Sequence, residues 1–220
     1  MIKEKKIVIA IDGPSASGKG TLCAGLAKQL KYDFMDTGAL YRLVAREVID
    51  QGLDDSNVDQ VISIANNVRD DFKLVQLVSE ELRTDEVSIM TSKISAIPKV
   101  REILKDIQVN FADNSNKDGV ILDGRDIGTV ICPSADVKLF ITATMETRAS
   151  RRTKELQSKG IEIEYDEVFN EMEKRDERDI NRKISPTKPA DDAYVVNTSQ
   201  LDQEGVLKLV LSIVGKKINN

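Results

Sequence analysis

The chain has 220 residues, 40% hydrophobic and 31% charged, a globular composition long enough to bury one sizeable core. Its net charge of −5 argues against general nucleic-acid binding, which draws on Lys and Arg neutralising phosphates, so any phosphate ligand must meet local basic clusters. Histidine is absent, so whatever chemistry occurs does without imidazole, the commonest general acid/base.

Residues 7–11 form a continuous apolar, β-branched run, the pattern of a strand buried on both faces in a parallel sheet. The run is too short for a signal-peptide core or a membrane span. Cys23 and Cys132 lie far apart with no metal or redox spacing. These features together lead us to expect a cytoplasmic protein in a reducing compartment.

The next nine residues, Gly13, Pro14, Ser15, Ala16, Ser17, Gly18, Lys19, Gly20 and Thr21, satisfy the phosphate-loop pattern G-x-x-x-x-G-K. Glycines let the backbone curl so that N–H groups point at phosphate oxygens, and the helix N-terminus adds partial positive charge. Lys19 supplies a mobile full charge. A ligand-free glycine turn is the alternative, but the loop stands between a buried strand and a helix over about residues 18–31, marked by Leu22, Leu26 and Leu30.

A short strand at residues 33–35 leads to a helix over 39–50, with Asp36 or Thr37 available as its N-cap. From about 57 to 115 helical patterns surround a β-rich piece, 72–78, and a turn-like segment, 82–87, which reads as an inserted subdomain. Further strands are expected at 120–122, 137–141 and 194–196, and helices at 145–158 and 206–218. Around Gly160, two charged helices spanning 151–183 read as a lid. Five strands separated by helices give an α/β, doubly wound fold with a parallel sheet.

Three further clusters carry chemistry. Asp123, at the end of an apolar strand, is a candidate for holding Mg²⁺ directly or through water; Arg125 can fork onto a phosphate and Asp126 can accept from a base. A surface turn rich in Asp and Gly is the alternative. Arg175, Arg178, Asp179 and Arg182 fall on one helical face at about 100° per residue, as a ligand-gathering ridge or as a solvated helix laced by ion pairs. Arg148, Arg151 and Arg152 share a face of the helix before Gly160, either over a triphosphate or toward solvent.

A nucleoside monophosphate has a second phosphate pKa near about 6, so at neutral pH it is already an anionic nucleophile and needs no general base. The protein has only to supply positive charge, orientation and exclusion of water. Residues 13–21, 36–42, 123–129 and 175–182, in order along nearly the whole chain, resemble bacterial cytidylate kinases. The Gly20-Thr21 variant of the loop also fits nucleoside monophosphate kinases better than GTPases.

That resemblance implies a P-loop NTPase fold with a monophosphate-binding insertion, acting with Mg²⁺ on ATP and on CMP or dCMP as small-molecule partners; we expect a monomer. It implies that residues 13–21 hold the ATP phosphates, with Arg151 reaching over them and Lys19, Arg125, Arg151 and Arg182 catalytic. Thr21 and Asp123 would serve Mg²⁺. Arg42, Arg125 and Arg182 would meet the acceptor phosphate and Arg175 and Asp179 would face the sugar, with Thr37 and Tyr41 also binding the substrate. Ser92, Arg101 and Asp126 would read the cytosine ring, whose amino group uracil and thymine lack. Bacterial members carry a longer β-rich insertion at 71–90, so this one looks abbreviated. A kinase for another monophosphate and a partner-signalling nucleotide switch are the competing functions, although no N-K-x-D motif is present.

Overall fold

The computed structural model describes residues 6–218. Its sheet has five strands in the order β2-β3-β1-β4-β5: β1 (Ile7–Asp12), β2 (Asp33–Asp36), β3 (Gly119–Gly124), β4 (Val137–Thr142) and β5 (Tyr194–Asn197). β1 is central and pairs parallel with β3, Ile7 opposite Gly119, and with β4, Ile9 opposite Val137; β4 pairs parallel with β5. Ile9, Ala10 and Ile11 are wholly buried, which is why this strand reads as an unbroken apolar run instead of an alternating one.

The chain runs first to one side of β1 and later crosses to the other. The crevice beyond the carboxyl end of β1 is therefore a topological switch point, the place where open α/β sheets bind ligands. Helix α1 (Lys19–Leu30) covers the sheet with α8 (Gln203–Ile218), and Leu22, Cys23 and Leu26 share a core with Val206, Val210 and Val214.

The molecule divides into two compact units. The first takes the chain up to Phe34 and from Ser115 onward. Besides the sheet it holds α6 (Met145–Ser158) and α7 (Tyr165–Asn181), packed through Ala149, Leu156, Val168 and Met172. Gly160, between them, takes a left-handed conformation, φ 79°. Where the chain leaves this unit and returns to it, the Ser115 hydroxyl donates to the Asp33 carboxylate at 2.7 Å.

The second unit, Met35–Asn114, contains α2 (Thr37–Asp50), α3 (Val58–Asp70), α4 (Asp85–Ile94) and α5 (Pro98–Asn114). These helices bury Leu40, Val44, Val61, Ile94, Val100 and Leu104 in a core of their own.

Two expectations for this unit are corrected. Residues 72–78 form no strand: Leu74–Val78 is a 3₁₀ helix, opened by the Lys73 N–H donating to the Gln76 side chain at 2.7 Å. Val75 and Val78 are exposed; their β-branched shape favours a strand only against a neighbouring strand, and residues 37–114 contain none. The turn-like stretch after it is also helical. Leu82 is buried within a 3₁₀ segment, Glu80–Arg83, and α4 starts at Asp85 with the Thr84 hydroxyl accepting from the Val87 N–H at 3.2 Å.

Candidate active site

The phosphate loop leaves β1 at Gly13, whose φ of 145° brings its Cα against β4: a Cβ there would lie 2.0 Å from the Ile141 carbonyl oxygen. The loop then folds on itself. The Ser17 hydroxyl and the Lys19 ammonium both donate to the Pro14 carbonyl, at 3.0 and 2.9 Å, and Ser17 is fully buried. Gly18 adopts φ 94° as the N-cap of α1 and offers no side-chain cap. The first amides of α1 are thereby left open to an incoming anion.

Lys19 is buried and stands 3.8 Å from the Asp123 carboxylate at the end of β3. Burial, then the nearby Arg125 charge, pushes the ammonium down to about 8, with Asp123 opposing. Bound phosphate oxygens, being negative, would oppose the lowering and favour the charged ammonium. Thr21 lies exposed in the first turn of α1. Among the described residues, no group of three or more His, Cys, Asp and Glu side chains is placed to hold a metal ion.

Arg125 turns from the end of β3 toward α7. Its Nε lies 3.4 Å from the Asp179 carboxylate, and Arg182 Nη1 is 3.7 Å from the same group. Burial raises Asp179, but the summed charge of Arg125, Arg175 and Arg182 outweighs it and holds the carboxyl below the usual range. The expected ridge is therefore partly corrected. Arg175, Asp179 and Arg182 converge, whereas Arg178 is exposed. Arg182 is no longer helical (φ −62°, ψ 140°), and this break turns its guanidinium, whose Nε donates to the Ser185 carbonyl.

The three arginines of α6 also part company instead of sharing one face. Arg151 donates to the Thr198 hydroxyl and carbonyl at 3.0 and 2.8 Å, and that hydroxyl donates to the Ser17 carbonyl at 3.0 Å, which sets Arg151 beside the loop. Arg152 pairs with Glu155 at 2.9 Å. Arg148 is buried and turned inward.

Sequence reasoning missed Asp12. This carboxylate, buried at the end of β1, accepts from the Ile127 and Gly128 amides at 2.8 Å each. It anchors the π-helical turn Ile127–Ile131 just past Asp126, which is itself buried. Burial raises Asp12 to about 7; the two amides oppose the rise and Asp126 adds to it. An acidic residue ending an apolar strand one position before the loop was the available signal. Thr198 left no such trace, because only the fold brings the end of β5 to Ser17.

In the second unit, Asp36 rather than Thr37 stands at the N-cap of α2, without a side-chain cap bond. Its carboxylate instead receives Arg42 Nη1 at 3.1 Å. Thr37, Tyr41 and Ser92 are buried. The Arg101 guanidinium lies over the Tyr41 ring, 5.3 Å from its centroid, and donates to the Ser95 carbonyl at 3.2 Å. The Ser95 hydroxyl in turn donates to the Ser92 carbonyl at 3.0 Å. Two of the expected base-side residues, Ser92 and Arg101, are thus linked through one turn, with the Tyr41 ring against the guanidinium.

A sequence model of the family described as Cytidylate kinase matches residues 9–216. Cytidylate kinase of Paramagnetospirillum magneticum is 46% identical over 96% of this chain and 98% of its own. That of Caldicellulosiruptor saccharolyticus is 41% identical over 98% and 99%. Shikimate kinase from Bacteroides thetaiotaomicron superposes with a TM-score of 0.51 at 13% identity, over 95% of this chain and 98% of its own, a likeness of fold alone.

Proposed function

The chain belongs to the cytidylate kinase family and transfers the γ-phosphoryl group of ATP to CMP or dCMP; from that premise we propose which residues perform the transfer. Residues 13–21 bind the donor phosphates, with Lys19 on the transferred group and Arg151 beside the loop. Arg125 and Arg182 take charge developing on the acceptor side, and Arg175 and Asp179 face its sugar. The second unit, extending the inserted subdomain expected over about 57–115, supplies Arg42 for phosphate and Thr37, Tyr41, Ser92 and Arg101 for the nucleoside; Asp126 joins in reading cytosine. The helices about Gly160, residues 151–183, act as the lid.

One observation carries this reading: a buried Lys19 whose positive charge is disfavoured by burial and by Arg125 together. Such a pair of cations gains most when an anion arrives between them. Because the acceptor is already ionised, positioning and electrostatics suffice, and no side chain needs to remove a proton.

Mg²⁺ fits the residues present. Asp123 offers a hard carboxylate oxygen at the loop and Thr21 a hydroxyl, a set typical of Mg²⁺, which keeps several waters and takes few protein ligands alongside substrate phosphates. When bound, it would neutralise charge on the phosphate oxygens. We also propose that the protein works as a monomer in the cytoplasm. Two free cysteines suit a reducing compartment, and among the described residues no helix is long and apolar enough to cross a membrane.

The deciding experiment is ADP release with Mg-ATP over CMP, dCMP, UMP, AMP and GMP. Turnover should be fastest with CMP and dCMP, and Lys19→Ala or Arg182→Ala should lower kcat by about a hundredfold or more. No transfer to any of the five would end the proposal.

A further inference from the structure

Arg148 has no part in the assignments above, yet its guanidinium joins more of the first unit than any single contact would need. Nε donates to the Ala143 carbonyl at 3.1 Å, where β4 gives way to α6. Nη1 donates to the Ser15 carbonyl of the phosphate loop at 3.3 Å. Nη2 lies 2.6 Å from the Asp176 carboxylate of α7 and 3.3 Å from the Met145 sulfur. Arg148 is 6% exposed, and the Asp176 side chain is nearly as buried.

Asp176 follows Arg175 directly and lies three residues before Asp179 on the same helix. One planar fork therefore ties the backbone of the loop to the helix that carries the arginines gathered around Asp179. Cohesion of α6 and α7 does not demand this pair, because Ala149, Leu156, Val168 and Met172 already pack them together. A buried ion pair is an inefficient source of stability compared with apolar packing. What it supplies is direction, since the guanidinium fixes its partners in one plane.

We propose that Arg148 and Asp176 are positioning residues that hold α7 in register with the phosphate loop, so that Arg175 and Arg182 meet the acceptor at in-line distance from the donor. This rests on the assignment of those arginines to the acceptor. Misplacement by about 1 Å costs phosphoryl transfer about a hundredfold, a tolerance that packing of long side chains alone does not guarantee.

The test uses the full chain with Asp176→Asn, which keeps the shape and removes the charge, Arg148→Lys, which keeps the charge and removes the fork, and the double variant. Melting is followed alongside kinetics to confirm folding. Each single variant should lower kcat with CMP by about ten- to a hundredfold. The ATP dissociation constant should stay within about threefold, because the bonds from Ser17, Lys19 and Thr198 keep the loop curled. The double variant should lose no more than the worse single, the mark of residues acting as one unit. Asp176→Glu should regain part of the rate. Unchanged kcat with a lowered melting temperature, or losses that multiply in the double variant, would overturn the proposal.

Hydrogen exchange separates this from the functional assignment. ATP should increase protection of residues 175–182 in the unaltered chain and not in Asp176→Asn, whether or not CMP is the acceptor. Equal protection in both chains, or none in either, overturns the role of the pair even if CMP is phosphorylated. If CMP is not phosphorylated while the protection differs, the acceptor assignment fails and the pair stands.

Discussion

In its proposed role Lys19 has to stay charged in a place that discourages charge. In the free protein its ammonium is lowered to about 8 by burial and by Arg125, so it loses its proton as the pH rises past about 8. The ratio kcat/KM for ATP reports the free enzyme and kcat the complex. We therefore expect kcat/KM to fall above pH 8 by up to about tenfold per pH unit. Bound triphosphate raises the lysine again, so kcat should hold to a higher pH. A pH series from 6 to 10 checks this; coincident breaks in the two profiles would contradict it. Asp12 sits at the opposite extreme, a carboxylate raised by burial although two amides favour its ionised form. That conflict is tolerated because the carboxylate fixes the turn following Arg125 and Asp126.

At the scale of elements, the loop between β1 and α1 owes its path to close approach as much as to ligand chemistry. Gly13→Ala would set a methyl group 2.0 Å from the Ile141 carbonyl oxygen, at a φ of 145° that side chains rarely adopt. It should destabilise the protein by at least about 1–3 kcal/mol and weaken ATP binding. At Gly20 a Cβ meets nothing within 4 Å and lies in a helix, where alanine is favoured over glycine by about 1 kcal/mol. Gly20→Ala should therefore melt no lower than the parent. Urea unfolding of the two variants makes the comparison, and equal destabilisation would refute it.

The same scale shows what the sequence made legible. β1 and the loop after it were plain, because an apolar run followed by glycines and a lysine has few other uses. Residues 72–78 mislead because an apolar β-branched composition suits a strand, although strand formation also needs a partner that composition does not reveal. Arg178 misleads because it lies inside α7, about 100° round the helix from its neighbour Asp179; Asp179 is buried and Arg178 exposed, so the inward face is narrower than the charge pattern. The roles of Asp12, Arg148 and Thr198 depend on neighbours more than 40 residues away in sequence, which no local pattern encodes.

Across the whole molecule there are two separate cores. Met35–Asn114 is built on Leu40 and its neighbours, and the sheet unit on Ile9, Leu26, Leu139 and Ile141. Leu40 is wholly buried, so Leu40→Ala should cost about 2–5 kcal/mol through transfer and cavity terms. Below its melting temperature we expect a raised KM for CMP with KM for ATP changed less than about twofold, since the loop rests on the other core. Steady-state kinetics and thermal melting on one preparation test this. Equal rises in both constants would mean that the cores are energetically one.

The Ser115 bond to Asp33 gives this division a practical meaning. A continuous stretch of chain that departs and rejoins at a single stapled doorway can grow, shrink or be exchanged without rethreading the sheet behind it. Such a stretch is a removable cassette: on the proposed roles most of the nucleoside contacts lie in it, so the acceptor can change over evolutionary time while the loop that holds the donor phosphates stays untouched.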